Sequence, residues 1–227
     1  MFSGITRGTF PVAFVRKTGS VQTFGVRLPS ELTEGLVPGA SVSVDGVCQT
    51  VVKVQPDPPS SETSVVVTFD AIQETLKVTT LGTLTPGVSV AIERSLRVGD
   101  EIGGHRVSGH VTGMAIVDEV VSAANGVHDL WLSVPHDWLE FILPKGFIAV
   151  DGSSLTVGQV DEAACRFRLH LIPETVRITN LGGKRSGDRV NIELDAETVT
   201  IVRTVSRVLA QRGYSRDGVP DVKEPRS

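Results

Sequence analysis

Cysteine is scarce in this chain: Cys48 and Cys165 are the only two among 227 residues. Two thiols make neither a disulfide framework nor, on their own, a zinc site. Positive charge is not in surplus either, since 26 acidic residues outnumber 22 basic ones for a net charge of −4. A nucleic-acid partner, which usually shows as a basic balance, is therefore not expected. No apolar run approaches the ~18–20 residues that span a bilayer, so no membrane segment is expected. The opening MFSGITRGTF has no apolar stretch behind a basic start, so no secretory leader is expected and a reducing cytoplasm is the expected location. The glycines of EIGGHRVSGH lack the strand–loop–helix setting of a phosphate or dinucleotide loop, and no serine-hydrolase nucleophile elbow is present. His105 and His110 lie five apart, on opposite faces if the segment is a strand. With few other ligands about, no metal site is expected.

What the sequence does have is a repeat, the first thing to seek in any chain. VDGVCQTV (44–51) returns as VDGSSLTV (150–157), with Cys48 replaced by Ser154. Around it, LVPGASVSVDG lies over ILPKGFIAVDG at an offset of 106, and ETLKVTTLG lies over ETVRITNLG at an offset of 100. GVSVAIE meets GDRVNIE, and SGITRG meets SGHVTG. The blocks keep one order in both halves, and the offset falls by six because QPDPPSSET in the first half faces DEAAC in the second. The chain is a duplication, with expected domains at 1–97 and 98–196.

Each half alternates like half-buried antiparallel strand: Val42 and Val44 against Ser41 and Ser43, Phe167, Leu169 and Leu171 against Arg166, Arg168 and His170, and Val190, Ile192 and Leu194 together. Asp45–Gly46 and Asp151–Gly152 are tight-turn signals. Short helices are expected around 30–36 and 136–143, with Ser30 or Asp137 near the cap. This pattern predicts a mostly β fold of two tandem six-stranded antiparallel barrels with short helices. A C-terminal helix is expected over 197–213, where Ile201, Val202, Val205, Val208 and Leu209 fall at helical spacing and Gly213 is a stop signal. Its apolar face needs a cover, from its own barrels or from another copy of the chain. Residues 214–227 are polar, contain proline and are expected to be disordered.

Cys48 reads as a small buried hydrophobe or as a nucleophile, and His110, which stands where the first half has Ile5, as a structural group or a general acid–base. The hydroxyls of Ser41, Thr50, Ser154, Thr156, Thr75 and Thr175 form a polar set able to hydrogen-bond a heterocycle. Lys145, Asp70, Asp151 and Asp195 read first as surface charges.

MFSGI, GVCQTV, ETLKVTTLG, GGHRVSGHV, KGFIAVDGSSLTV and IPETVRITNLG, in that order through residue 210 or so, resemble riboflavin synthase of the alpha-chain type. The resemblance implies that two molecules of 6,7-dimethyl-8-ribityllumazine are dismutated by transfer of a four-carbon unit, with no cofactor and no metal. It further implies a homotrimer, an active site shared between the N-terminal barrel of one subunit and the C-terminal barrel of the next, and association with lumazine synthase. Carried over by motif, Phe2, Ser41, Cys48 and His110 are the catalytic candidates. An N-terminal pocket would comprise Gly4, Ile5, Thr6, Gln49, Thr50, Asp70, Ala71, Ile72, Gln73, Glu74 and Thr75. A C-terminal pocket would comprise Gly109, Val111, Lys145, Ser154, Leu155, Thr156, Ile172, Pro173, Glu174, Thr175, Val176 and Arg177. Ser3, Gln49 and Ala91 depart from the family's usual threonine, leucine and asparagine, and the loss at Ala91 is expected to weaken the N-terminal site. The same fold also serves non-catalytic lumazine- and flavin-binding antenna proteins, the alternative reading.

Overall fold

A computed structural model describes residues 1–57, 64–122 and 128–212; the Gly213 stop and the 214–227 tail lie outside them. The N-terminal half carries strands β1 (Thr9–Thr18), β2 (Val21–Pro29), β3 (Ser41–Val44), β4 (Val47–Pro56), β5 (Ser64–Ile72) and β6 (Ser89–Arg94). The second half repeats them as β7 (Gly113–Ser122), β8 (His128–Ser133), β9 (Phe147–Val150), β10 (Ser153–Asp161), β11 (Arg166–Leu171) and β12 (Arg189–Leu194). Each set closes into an antiparallel barrel, in the order β1-β2-β5-β4-β3-β6 and, in the same order, β7-β8-β11-β10-β9-β12. Closure removes the free strand edges that would otherwise invite pairing with other chains.

The turns follow from the sequence. Asp45 and Gly46 have φ of 45° and 80°, and Asp151 and Gly152 have 44° and 81°. Two consecutive positive values are the geometry of the hairpin turns that Asp-Gly favours. Register shifts fall at matching places in both barrels, in β1 and β7 and in β4 and β10. Bulges of this kind give a short strand the curvature that a small barrel demands. Each barrel has its own core: Phe24 and Phe69, with ring centroids 5.4 Å apart, among the valines of the first, and Phe167, Leu130, Leu132 and Leu169 in the second.

Helical pieces are more numerous than the pattern predicts. Helix α1 (Ser30–Thr33) and a 3₁₀ turn (His136–Phe141) fall where expected, but their N-cap positions are Pro29 and Pro135, not Ser30 or Asp137. Helices α2 (Gln73–Val78) and α3 (Pro173–Ile178) occupy the repeated ETL and ETV segments, too short to show a 3.6-residue period. Helix α4 (Ala196–Gln211) is capped by Asp195, whose side chain accepts from the Thr198 N–H at 2.8 Å. Its own barrel covers only part of its apolar face. Val199 and Val202 pack on the C-terminal barrel, while Ile201, Val205 and Val208 stay exposed.

The barrels meet about a pseudo-twofold axis. Phe2 and Val107 exchange backbone hydrogen bonds of 2.7 and 3.1 Å. Gly46 and Gly152 face each other so closely that a Cβ on Gly46 would lie 2.5 Å from the Gly152 nitrogen. Beside them is a buried polar knot. The Asn180 amide donates to Asp45 (2.9 Å) and to Asp151 (3.0 Å), Lys184 Nζ lies 2.9 Å from Asp151, and Asn191 Nδ2 donates to the Asp45 carbonyl (2.7 Å) and to Thr80 Oγ1 (2.8 Å). Two carboxylates here face one ammonium. Burial and the neighbouring Asp151 push the Asp45 carboxyl well above its ordinary range.

Candidate active site

The two segments that precede the barrels, 2–6 and 107–111, are held by a repeated device. Glu193, from β12, accepts from the N–H and hydroxyl of Ser108 (both 2.7 Å) and from the Gly109 N–H (2.8 Å). Glu93, from β6, accepts from the N–H and hydroxyl of Ser3 (both 2.7 Å) and from the Gly4 N–H (3.0 Å). Burial raises the Glu93 carboxyl against the pull of those bonds. Clamped at its own barrel, each segment is pressed against the other one. The Gly109 carbonyl accepts from the Cys48 N–H at 2.9 Å, and the Gly4 carbonyl accepts from the Ser154 N–H at 2.8 Å. Both glycines have positive φ, and a Cβ on either would fall 2.5–2.6 Å from the Cβ of its neighbour. Only glycine fits.

This crossing corrects the pocket groupings read from the sequence. Gly4, Ile5 and Thr6 belong with Ser154 on the C-terminal barrel, where Thr6 Oγ1 also meets Ser153 Oγ at 2.9 Å. Gly109, His110 and Val111 belong with Cys48 on the N-terminal barrel, whose core Val111 joins. Sequence order suggested the opposite because nothing in a repeat says which copy a leading segment will pack on.

On the N-terminal barrel, Cys48 is a half-buried free thiol on β4, and Ser41 of β3 pairs opposite Thr50. A cavity of about 780 Å³ is lined by Met1, Cys48, Ser108, His110, Asp195 and Ile201, so thiol and imidazole share one space bounded by α4. Phe2 lies fully buried against Cys48, Val107 and Ala149. A phenyl ring offers no acid, base or nucleophile, and here it packs against the residue that bears the thiol. Gln49 is buried, and its Nε2 donates to the Cys48 carbonyl at 3.0 Å. Val51 pairs with Phe69 at the end of the β4–β5 ladder, beyond which Cys48–Thr50 stay paired with β3 and Asp70–Ile72 with β2. Asp70 accepts from Thr23 at 2.6 Å, Ala71 is buried, Ile72 is exposed, and Gln73, Glu74 and Thr75 open α2.

On the C-terminal barrel, Val157 pairs with Leu169 in the same way, and Ser154, Leu155 and Thr156 stay paired with β9. Ile172 is exposed like Ile72, Pro173 sits in the first turn, and Glu174 holds Arg177 in an exposed ion pair, with Thr175 and Val176 between them. Lys145 stands in a left-handed turn (φ 66°) with its N–H on the Val157 carbonyl. The nucleophile-position residue here has a partner of its own: Ser154 Oγ lies 2.6 Å from Nδ1 of His105. The sequence reading weighed His105 only as a metal ligand, because nothing local shows that the connector sets it beside Ser154. Asn191, the repeat counterpart of Ala91, is buried in the polar knot between the barrels, where it donates to the Asp45 carbonyl and to Thr80 Oγ1. Glu93 and Glu193 were missed too, although each ends a matched block of the repeat.

Among the described residues no group of three His, Cys, Asp or Glu side chains is placed to hold a metal ion, and no helix is long and apolar enough to cross a membrane.

Comparison with known proteins agrees with this architecture. The lumazine binding domain model matches twice, over residues 3–95 and 108–195. Riboflavin synthase of Escherichia coli (strain K12) is 43% identical over 213 residues, covering 93% of this chain and 95% of that protein. Riboflavin synthase of Chlamydia pneumoniae is 40% identical over 216 residues, covering 94% and 99%. Solved structures of LumP in complex with riboflavin, and with 6,7-dimethyl-8-(1'-D-ribityl) lumazine, superpose with TM-scores of 0.75 and 0.74 at 26% and 25% identity, over 86% of this chain and 99% of theirs. Two closed barrels, each matching the lumazine binding domain, and relatives sharing two residues in five along nearly the whole length place this chain in the riboflavin synthase family.

Proposed function

We propose that the chain is a riboflavin synthase, converting two molecules of 6,7-dimethyl-8-ribityllumazine into riboflavin and 5-amino-6-(ribitylamino)uracil. The reaction moves a four-carbon unit from one lumazine to the other. The two products together contain the atoms of the two substrates, so no oxidant or reductant is needed. The observation that carries the reading is the inequality of two otherwise matched sites. One offers Cys48 in a cavity with His110, the other Ser154 paired with His105. A dismutation needs one molecule as donor and an identical one as acceptor, and unequal sites on equal barrels supply that distinction.

A nucleophile, either water or the side chain of Cys48 or Ser41, adds to the electron-poor C7 of one lumazine, and His110 moves a proton at the acidic 7-methyl group of the other. Holding both rings in one site supplies much of the rate, since pre-paid orientation is worth up to about 7–11 kcal/mol. The remaining motif residues, from Gly4–Thr6 and Gln49–Thr50 to Asp70–Thr75, Lys145, Leu155–Thr156 and Ile172–Arg177, contact the two substrates. The active site lies between the N-terminal barrel of one subunit and the C-terminal barrel of its neighbour in a cytoplasmic homotrimer that associates with lumazine synthase. The exposed stripe Ile201, Val205 and Val208, of which Ile201 lines the cavity, supports the trimer.

The test is to incubate the purified protein with 6,7-dimethyl-8-ribityllumazine and follow riboflavin absorbance, with Cys48→Ser and His110→Ala beside the wild type. Riboflavin formation, reduced at least tenfold in both variants, is expected. The second reading, a protein that binds lumazine or flavin without turnover, draws on the superposition with the LumP complexes. Tight binding with no riboflavin decides for it.

A further inference from the structure

The connector between the barrels carries a buried histidine. His105 is 8% exposed and its ring stacks on Phe147, with centroids 5.2 Å apart and planes inclined by 15°. Its Nδ1 lies 2.6 Å from Ser154 Oγ. The serine is fixed on its other sides as well. Its N–H is on the Gly4 carbonyl, and both Gly4 and Gly104 pack against its Cβ so tightly that a side chain on either would fall 2.5 Å away. On the N-terminal barrel Cys48 has the same backbone bond, to the Gly109 carbonyl, and the imidazole that shares its cavity is His110.

The contact can run either way according to the tautomer of the ring. A neutral imidazole with its proton on Nε2 offers Nδ1 as an acceptor to the serine hydroxyl. We infer that His105 is a positioning residue that draws the Ser154 hydroxyl proton onto Nδ1 and turns the serine's lone pairs outward, so that the C-terminal barrel meets its lumazine with a fixed hydrogen-bond acceptor where the N-terminal barrel presents a thiol. The acceptor suits a donor group of the substrate, a ring N–H or a ribityl hydroxyl. The inference rests on the lumazine-binding reading above. Burial lowers the His105 pKa below its ordinary 6.5, against the opposing pull of Asp195 and Glu193, which keeps the ring neutral at pH 7. Those two carboxylates and Ser154 are the polar groups that face the ring, the carboxylates from the end of β12 and the α4 cap, the serine from β10. Protonation at acid pH would make Nδ1 a donor, reverse the bond and withdraw the acceptor.

The test uses the full chain and reads binding, so that it stands apart from turnover. Nitrogen-15 NMR of the histidines gives the tautomer, and fluorescence titration with 6,7-dimethyl-8-ribityllumazine gives the affinities of the two sites from pH 5 to 8. In the wild type an unprotonated His105 Nδ1 at pH 7 is expected, with one of two sites weakening as the pH falls below 6. His105→Phe, which keeps the stack on Phe147, and Ser154→Ala should each weaken that one site about tenfold and abolish its pH dependence. His105→Asn, whose amide oxygen replaces the acceptor, should restore affinity to within about threefold and stay flat with pH. A protonated Nδ1 at neutral pH, or wild-type affinity at both sites in His105→Phe and Ser154→Ala, overturns the inference. Binding that behaves as expected without riboflavin formation overturns the proposed turnover and leaves this pair supported. No lumazine binding by the wild type overturns both.

Discussion

Replacing Asn191 by alanine tests whether the polar knot holds the barrels together or serves the ligand. The side chain is 1% exposed and makes three hydrogen bonds across the interface: to the Asp45 carbonyl (2.7 Å), to Thr80 Oγ1 (2.8 Å), and from the Thr80 N–H (2.8 Å). The Thr80 hydroxyl can turn to another partner, but a backbone carbonyl and a backbone N–H cannot. Each buried backbone group left unpaired costs about 1–3 kcal/mol, so the variant should lose roughly 3 kcal/mol. For a chain of this size 1 kcal/mol moves the midpoint by about 2–4 °C, which gives a fall of about 6–12 °C by calorimetry or circular dichroism. A cycle with Thr80→Ala should show a coupling of about 1 kcal/mol, because the two residues share a hydrogen bond. At 20 °C, with the variant folded, the KM for lumazine should stay within twofold of wild type. A midpoint within 2 °C of wild type, or unchanged stability with a raised KM, would refute the reasoning and return Asn191 to the substrate.

The raised Asp45 carboxyl gives a pH signature. A carboxyl whose folded pKa exceeds its unfolded value binds its proton more tightly when folded. That contribution is present at acid pH and is lost as the pH climbs from the unfolded pKa through the folded one. Asp45→Asn, which mimics the protonated form and still accepts from the Ala91 N–H, should therefore gain stability over wild type at pH 7.5 and little at pH 4 in urea titrations; the opposite order contradicts the assignment. Gly46→Ala combines a φ of +80° with a Cβ 2.5 Å from the Gly152 nitrogen and should cost well over 3 kcal/mol, whereas Gly19→Ala, at φ +60° with nothing near, should cost only the 1–2 kcal/mol of left-handed strain. Equal melting points for the two variants would show that the barrels can part at Gly46. On the proposed trimer, the double variant Ile201→Glu/Val205→Glu should scatter light as a monomer, lose most activity and melt within a few degrees of wild type, since Val199 and Val202 keep α4 on its own barrel; unchanged mass would overturn the proposed assembly through this stripe.

Much of the architecture was legible before any coordinates. Period-two runs such as Arg189–Leu194 and the Asp-Gly pairs are local signals, and locally they were obeyed. The repeat then multiplied every local reading by two. What stayed hidden were relations between the halves. Gly4 and Gly109 announce a need for positive φ or close approach, but not that each approaches the other barrel. Asn180 and Asn191 stand at unmatched positions of the repeat and look unrelated until the interface places both on Asp45. His105 shows its place only when the connector is seen to set it against Ser154 and Phe147. The short helices α2 and α3 are set by packing at the barrel ends, where six residues carry too little pattern to betray them.

The crossed leading segments bear on how the molecule is made. The bond between Thr6 and Ser153 joins residues 147 apart. At about 5–20 residues per second the ribosome needs roughly seven to thirty seconds to supply the second partner after the first has emerged. The first barrel can close its six strands in that time and clamp its leading segment on Glu93, yet the face of β10 that this segment packs against has still to be made. Cys48, by contrast, receives Gly109 as soon as the connector has been translated. The thiol-bearing site is therefore built early in synthesis and the serine-bearing one late, and a chain released before β10 is complete keeps its first residues waiting.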